Sequence, residues 1–334
     1  MGNISISSQL TDLDTAVEKI EAGEFLVIAA DESVLTQLPS GNWIGGSIPY
    51  FMGEQGGTVS KEQVFIQTVE GIQGNAQPRI TPYDVKSINR IAQDAPDNGF
   101  TIVILPAGTD VHADYAKNAP GYDNMFFTPI VGWISGMHLD DVENSKAQTV
   151  FGPGAMMMDD KAIAMHVALP ENQVANVQTI NLFEQGKGAK IRFDQTGFNV
   201  DACTIDGQPS SLTQYVKDNN IDTRLPLVAD YNGINVNVSI QSVNADNIDL
   251  YAPVFADVEY QFATPVADYV QSFNQALETQ DTKNTAFSCN CILNFLYSEL
   301  EGKQTSNLIG PITFGEVAYQ LLNQTLVYMT LDNQ

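Results

Sequence analysis

Two stretches early in the chain set a helix-spaced apolar stripe beside a short unbroken apolar run, and this alternation constrains the fold most strongly. Thr11 is placed to cap a helix whose Leu13, Ala16, Val17 and Ile20 share one face and which Gly23 ends. A run of strand length follows from Phe25 to Ala30, and Asp31 then caps a short helix that stops before Pro39. The cycle repeats when Thr81 and Pro82 open a helix carrying Val85, Ile88, Ile91 and Ala92, after which Phe100 to Leu105 supplies another buried strand. Two such cycles predict helices laid against a sheet.

The later part has a different texture. Ile180 and Leu182, Ile191 and Phe193, and the series Ile234, Val236, Val238, Ile240 alternate with polar neighbours, as half-buried strands do. Gly186-Lys187-Gly188 and Asp206-Gly207 provide turns between them. Thr264 and Pro265 open a helix with Val266, Tyr269, Val270, Phe273 and Leu277 on its buried stripe. The change of texture falls between Pro170 and Asn181, so the reading is two lobes, 1–175 and 176–334. No flexible linker separates them. The expected class is α+β: two intimately packed mixed α/β lobes whose sheets are covered by helices.

Charge excludes several partners. Forty Asp and Glu stand against fifteen Lys and Arg, a formal net of −25, and a field of that sign repels phosphate backbones and anionic lipid alike. No nucleic acid or membrane partner is expected. Residues 1–23 lack a basic segment leading into an apolar one, and three cysteines suit a reduced compartment better than a disulfide framework, so the expected location is the cytoplasm.

Familiar catalytic and cofactor signatures are missing. Gly186-Lys187 runs into Gly188-Ala189, which completes neither a Walker loop nor a dinucleotide fingerprint, and Gly45-Gly46-Ser47-Ile48-Pro49 is not a nucleophile elbow. His112, His138 and His166 form no pair at metal-ligand spacing, and the adjacent Asp140-Asp141 and Asp159-Asp160 would point to opposite sides of a strand. No cofactor, metal or assembled catalytic set is therefore expected. Cys289 and Cys291 lack a basic neighbour in sequence that would favour the thiolate, and read as buried structural residues.

Two stretches remain unusual. Leu38 to Met52 mixes small residues with Trp43, Ser47 and Tyr50, a composition suited to a pocket wall or to a tight bend entering a core strand. Phe287-Ser288-Cys289-Asn290 is followed by Gly310 to Glu316 and by Asn323-Gln324-Thr325, which places the carboxylate of Glu316 in an otherwise apolar setting. A buried Glu needs either local backbone donors or a polar ligand.

At these residues the chain resembles the FIST family of sensory domains. The resemblance is carried by Ile205-Asp206-Gly207-Gln208-Pro209-Ser210, Phe287-Ser288-Cys289, Gly315-Glu316 and Asn323-Gln324-Thr325 in that order, with Gly45-Gly46-Ser47 matching more loosely. It spans roughly residues 25 to 331, and the Arg that the family carries three positions after its Cys is here Ile292. Membership would imply a sensor of small ligands such as amino acids, normally fused to a signalling output. With the chain occupied by the two FIST-like parts, such a sensor would act through a protein partner or through oligomerisation.

The leading expectation is thus a stand-alone cytoplasmic sensor that binds a small polar metabolite between its lobes. Trp43, Gly45, Gly46, Ser47 and Tyr50 would line one side of the site, and Cys289, Asn290, Gly315 and Glu316 the other. Two alternatives stand beside it. One is a hydrolase with Ser47 or Cys289 as nucleophile and a base drawn from the three histidines; the other is a scaffold protein without a ligand.

Overall fold

A computed structural model describes residues 2–72, 77–231, 233–278, 280, 282–305 and 308–334. Strands account for 42% of the structure and helices for 18%, arranged around five sheets, which corrects the expectation of helix-covered α+β lobes. The helices are short: α1 (Leu13–Glu21), α2 (Glu32–Leu35), α3 (Asp110–Asn118), α4 (Leu212–Asp218), α5 (Tyr269–Glu278) and α6 (Ile292–Tyr297).

The first cycle forms much as its pattern demands. Asp12, one residue later than expected, caps α1 by accepting the Thr15 N–H at 2.9 Å, and Ala16 and Ile20 are buried. Phe25–Ala30 lies inside a six-stranded sheet, parallel to Trp43–Ser47 and antiparallel to Val64–Glu70. Asp31 caps α2 through the Ser33 N–H. The second cycle breaks the helix expectation. Arg79–Tyr83 is a strand at the edge of the second sheet, paired with Ala162–Ala168, and only a 3-10 turn at Ile88–Arg90 follows. Ile88, Ile91 and Ala92 are buried nonetheless. Their spacing reported burial; the β-branched and aromatic residues beside Pro82 favoured an edge strand, where a proline's missing N–H costs no ladder bond.

The first two sheets pack face to face. Gly46 lies where a Cβ would sit 2.6 Å from both the Ile104 side chain and the Trp133 ring, so the absence of a side chain sets the approach of the layers. The shared core joins Phe65, Val131, Trp133, Phe287 and Tyr328. A separate cluster under α1 and α2 holds Trp43 with Ile28 and Val34, and another packs α3 through Val111 and Tyr115 onto Val103 and Val317. A six-stranded and a three-stranded sheet gather around α4.

Strands from both sides of residue 175 share sheets. Ile130–Ser135 pairs with Glu316–Ala318, Gly310–Thr313 pairs with Tyr50–Gly53, and Gln173–Ile180 runs antiparallel to Leu326–Asn333. The second sheet therefore carries Glu316 as the neighbour of Trp133.

Candidate functional site

The residues expected from the first unusual stretch separate once the chain folds. Trp43 is fully buried on the α1 and α2 side, its ring against Gly45 and Gly152 and its Nε1–H donating to Pro39 O at 2.9 Å. Gly46 faces the opposite way, onto Trp133. The Ser47 hydroxyl donates to Gly136 O at 2.7 Å and accepts the Gln148 N–H at 2.8 Å, so it ties three chain segments together. The Tyr50 hydroxyl accepts the Leu139 N–H at 3.0 Å, and its ring stacks on His138.

The second group does assemble. Thr325 is its hub, donating its hydroxyl at 2.7 Å and its N–H at 3.3 Å to one carboxyl oxygen of Glu316, while its own carbonyl accepts from Cys291 N–H and Asn294 Nδ2. Asn290 Oδ1 accepts from both Cys291 N–H and Asn294 Nδ2, and the Cys289 thiol lies 3.3 Å from Gly132 O. Gly315 takes part through its carbonyl, which accepts the Ile134 N–H and the Thr313 hydroxyl. Burial raises Glu316 to about 8, against the downward pull of the Thr325 and Cys291 bonds, so the side chain is a neutral acid at physiological pH. Burial first, then the neighbouring Glu316, pushes both cysteine thiols well above their ordinary value. Thr325 supplies local donors to one carboxyl oxygen of Glu316, while the other, Oε1, is buried with no hydrogen-bond partner among the described residues.

These groups do not meet around one cavity. Ser47 lines an acid-rich hollow of about 340 Å³ with Asp31, His138 and Asp141. Cys289 and Asn290 border a narrow void beside Pro311. Trp43 and Glu316 line neither.

The roomier site lies elsewhere. A cavity of about 500 Å³ opens between the start of α3, the 137–142 loop, the strands Ile240–Val243 and Ile248–Val254, and α6. Its wall is mostly apolar, with Phe198, Leu250, Leu293 and Phe314 among the contributors, and partly exposed Leu139, Val142 and Leu296 at its edge. Polar groups converge from Thr109, Asp110, His112, Gln241 and Tyr251. Thr109 caps α3 by accepting the His112 N–H, which fixes that ring's position on the first turn. His112 Nδ1 accepts the Gly108 N–H at 3.3 Å, leaving the imidazole proton on Nε2, and Nε2 is buried with no partner among the described residues. Burial lowers His112 to about 4, so the ring is neutral. The arrangement is a largely apolar enclosure bordered by a neutral imidazole.

Sequence reasoning missed this cavity because its walls come from segments more than a hundred residues apart. Local signals existed only in part: Gly108-Thr109 ahead of a helix carrying His112, and the apolar residues at 139 and 142 within a polar loop.

Ser47 and His138 border the same hollow, but among the described residues no hydrogen bond joins them. His166 is held by the Tyr83 hydroxyl at 2.9 Å and the Thr101 hydroxyl at 2.8 Å, and His138 Nδ1 accepts the Asp140 N–H. None of the hydrogen bonds of Ser47 or Cys289 described above goes to an imidazole, and both thiols of the second group are held in the protonated form. Among the described residues, no three His, Cys, Asp or Glu side chains cluster to hold a metal ion. No helix is long and apolar enough to cross a membrane.

The sequence matches a family of unknown function, DUF6976, over residues 11–332. That match replaces the FIST resemblance, whose short phrases recur here without the family behind them. No curated protein matches the chain. Among solved structures, the nematode sperm cell motility protein MFP2B aligns over 85% of this chain and 84% of its own, at 10% identity and a TM-score of 0.13.

Proposed function

The chain belongs to the DUF6976 family, and we propose that it is a binding protein whose ligand is a small, largely apolar molecule. The observation that carries this reading is the cavity of about 500 Å³ with its mostly apolar wall. Apolar walls reward burial of an apolar ligand. Because the walls come from both sides of residue 175, occupancy would stiffen the joint between 107–142 and 198–314. A sensor signalling to a protein partner would use that change. The reading places the protein in the cytoplasm, supported by three buried free cysteines that require no oxidising compartment.

Titration with the neutral fluorophore Nile red tests the reading. Saturable binding is expected in the native protein. It should be lost in Ala113→Phe, because Ala113 borders the cavity and the added ring fills it. An unsaturable signal, or one unchanged in that variant, overturns the proposal.

A further inference from the structure

A single carboxylate borders the cavity between α3 and α6. It belongs to Asp110, exposed on the first turn of α3, whereas no Lys or Arg among the described residues lines the wall and burial keeps the His112 ring neutral. The Asp110 carboxylate makes no hydrogen bond or ion pair among the described residues. Further along the helix Asp114 accepts from Asn118 and Tyr122, and the Lys117 ammonium lies 5.6 Å from the Phe198 ring centroid. With Asp110 and Asp114 against Lys117, α3 carries one more negative charge than positive, on a chain whose formal net is already −25. A charge at the wall needs no contact to act on a ligand, because screening at physiological salt takes about 8 Å to weaken it.

An apolar ligand with an anionic head would find no basic group on this wall and would meet a negative field. A positively charged head is treated differently. Asp110 attracts it, and Phe198, Tyr251 and Phe314 supply aromatic rings, whose faces are negative and draw a cation. Phe198 already exerts that attraction, on Lys117, which itself lies outside the wall. We propose, on the reading of this cavity as a binding site, that its ligand is an apolar amine whose ammonium head sits at the Asp110 edge.

Octylamine, octanol and octanoate share one apolar chain and differ in the charge of the head, which at neutral pH is positive, absent and negative. Each is titrated against the full chain with Nile red bound, and displacement of the dye gives its affinity. Octylamine is expected to bind about fivefold more tightly than octanol and at least about tenfold more tightly than octanoate. Added salt should narrow both ratios. In Asp110→Asn the ratio of octylamine to octanol affinity should fall to about two or less, because the charge is gone and only the rings remain. Failure of Nile red to bind saturably would overturn the site and the amine assignment together. With Nile red bound, equal displacement by octylamine and octanol, or stronger displacement by octanoate, would overturn the assignment alone. A ratio unchanged in Asp110→Asn would overturn it too, by placing the amine on the acidic surface at large.

Discussion

Glu316 allows the sharpest test of the core, because its carboxyl titrates near 4.5 in an open chain and at about 8 in the fold. Between those values the native protein retains a proton that the unfolded chain releases, so stability declines as pH rises through the window and levels off above it. At about 1.36 kcal/mol per pKa unit, moving from pH 5 to pH 8 costs about 3.5 kcal/mol from this one group. Glu316→Gln keeps an acceptor for the Thr325 hydroxyl and N–H but has nothing to titrate. The variant should therefore be far less sensitive to alkali. Urea denaturation at pH 5, 6, 7 and 8 measures this, read from the fluorescence of Trp43 and Trp133, which are both fully buried. The difference between wild type and variant cancels every other titrating group, including the two histidines with lowered values. A difference that changes by less than about 1 kcal/mol over the range would refute the claim that Glu316 is buried as a neutral acid.

Other expectations follow from single contacts. Thr325→Val removes the hydroxyl that donates to Glu316 at 2.7 Å and should cost about 1–3 kcal/mol in chemical denaturation, while moving the carboxyl's titration further up. Gly46→Val forces a side chain against Ile104 and Trp133, so its melting temperature should fall by an amount corresponding to about 1–3 kcal/mol or more. His166 falls from 6.5 to about 4 through burial, so the stability it supports is present above pH 6.5 and lost on acidification. Relative to His166→Gln, the wild type should lose about 3 kcal/mol between pH 7 and pH 4. Fragments 1–175 and 176–334, expressed separately, should each lack dispersed NMR spectra and gain them on mixing, because two of the pairings described above join strands across that point and the cut falls inside the strand Gln173–Ile180. Independent folding of either fragment would contradict the pairing.

Where a segment's own residues fix its partner geometry, the sequence was enough. Phe25–Ala30 is apolar on both faces and became an inner strand; Asp31 had only a short helix to cap and capped it. The α5 stripe was read from Tyr269, Phe273 and Leu277, all of which are buried, although the helix starts at Tyr269 rather than beside Pro265. The reading failed where burial and helix share a spacing. Ile88, Ile91 and Ala92 are buried beneath a 3-10 turn, and nothing local distinguished that from a helix face.

Sites depend on closure over long distances, and there the two unusual stretches met different fates. Cys289, Asn290, Gly315 and Glu316 converge because Thr285–Cys291 pairs antiparallel with Leu326–Asn333, which brings Thr325 beside Cys291. That convergence gives donors to one oxygen of a carboxyl group; it opens no room. The apolar cavity instead forms where the start of α3, the Ile248–Val254 strand and α6 leave a gap that none of their own apolar faces fills. Local pattern marks residues that are buried, whereas a binding site is a place where burial is incomplete. Its residues, such as His112, Gln241 and Leu296, look ordinary in sequence because what distinguishes them is the contact each has left unmade.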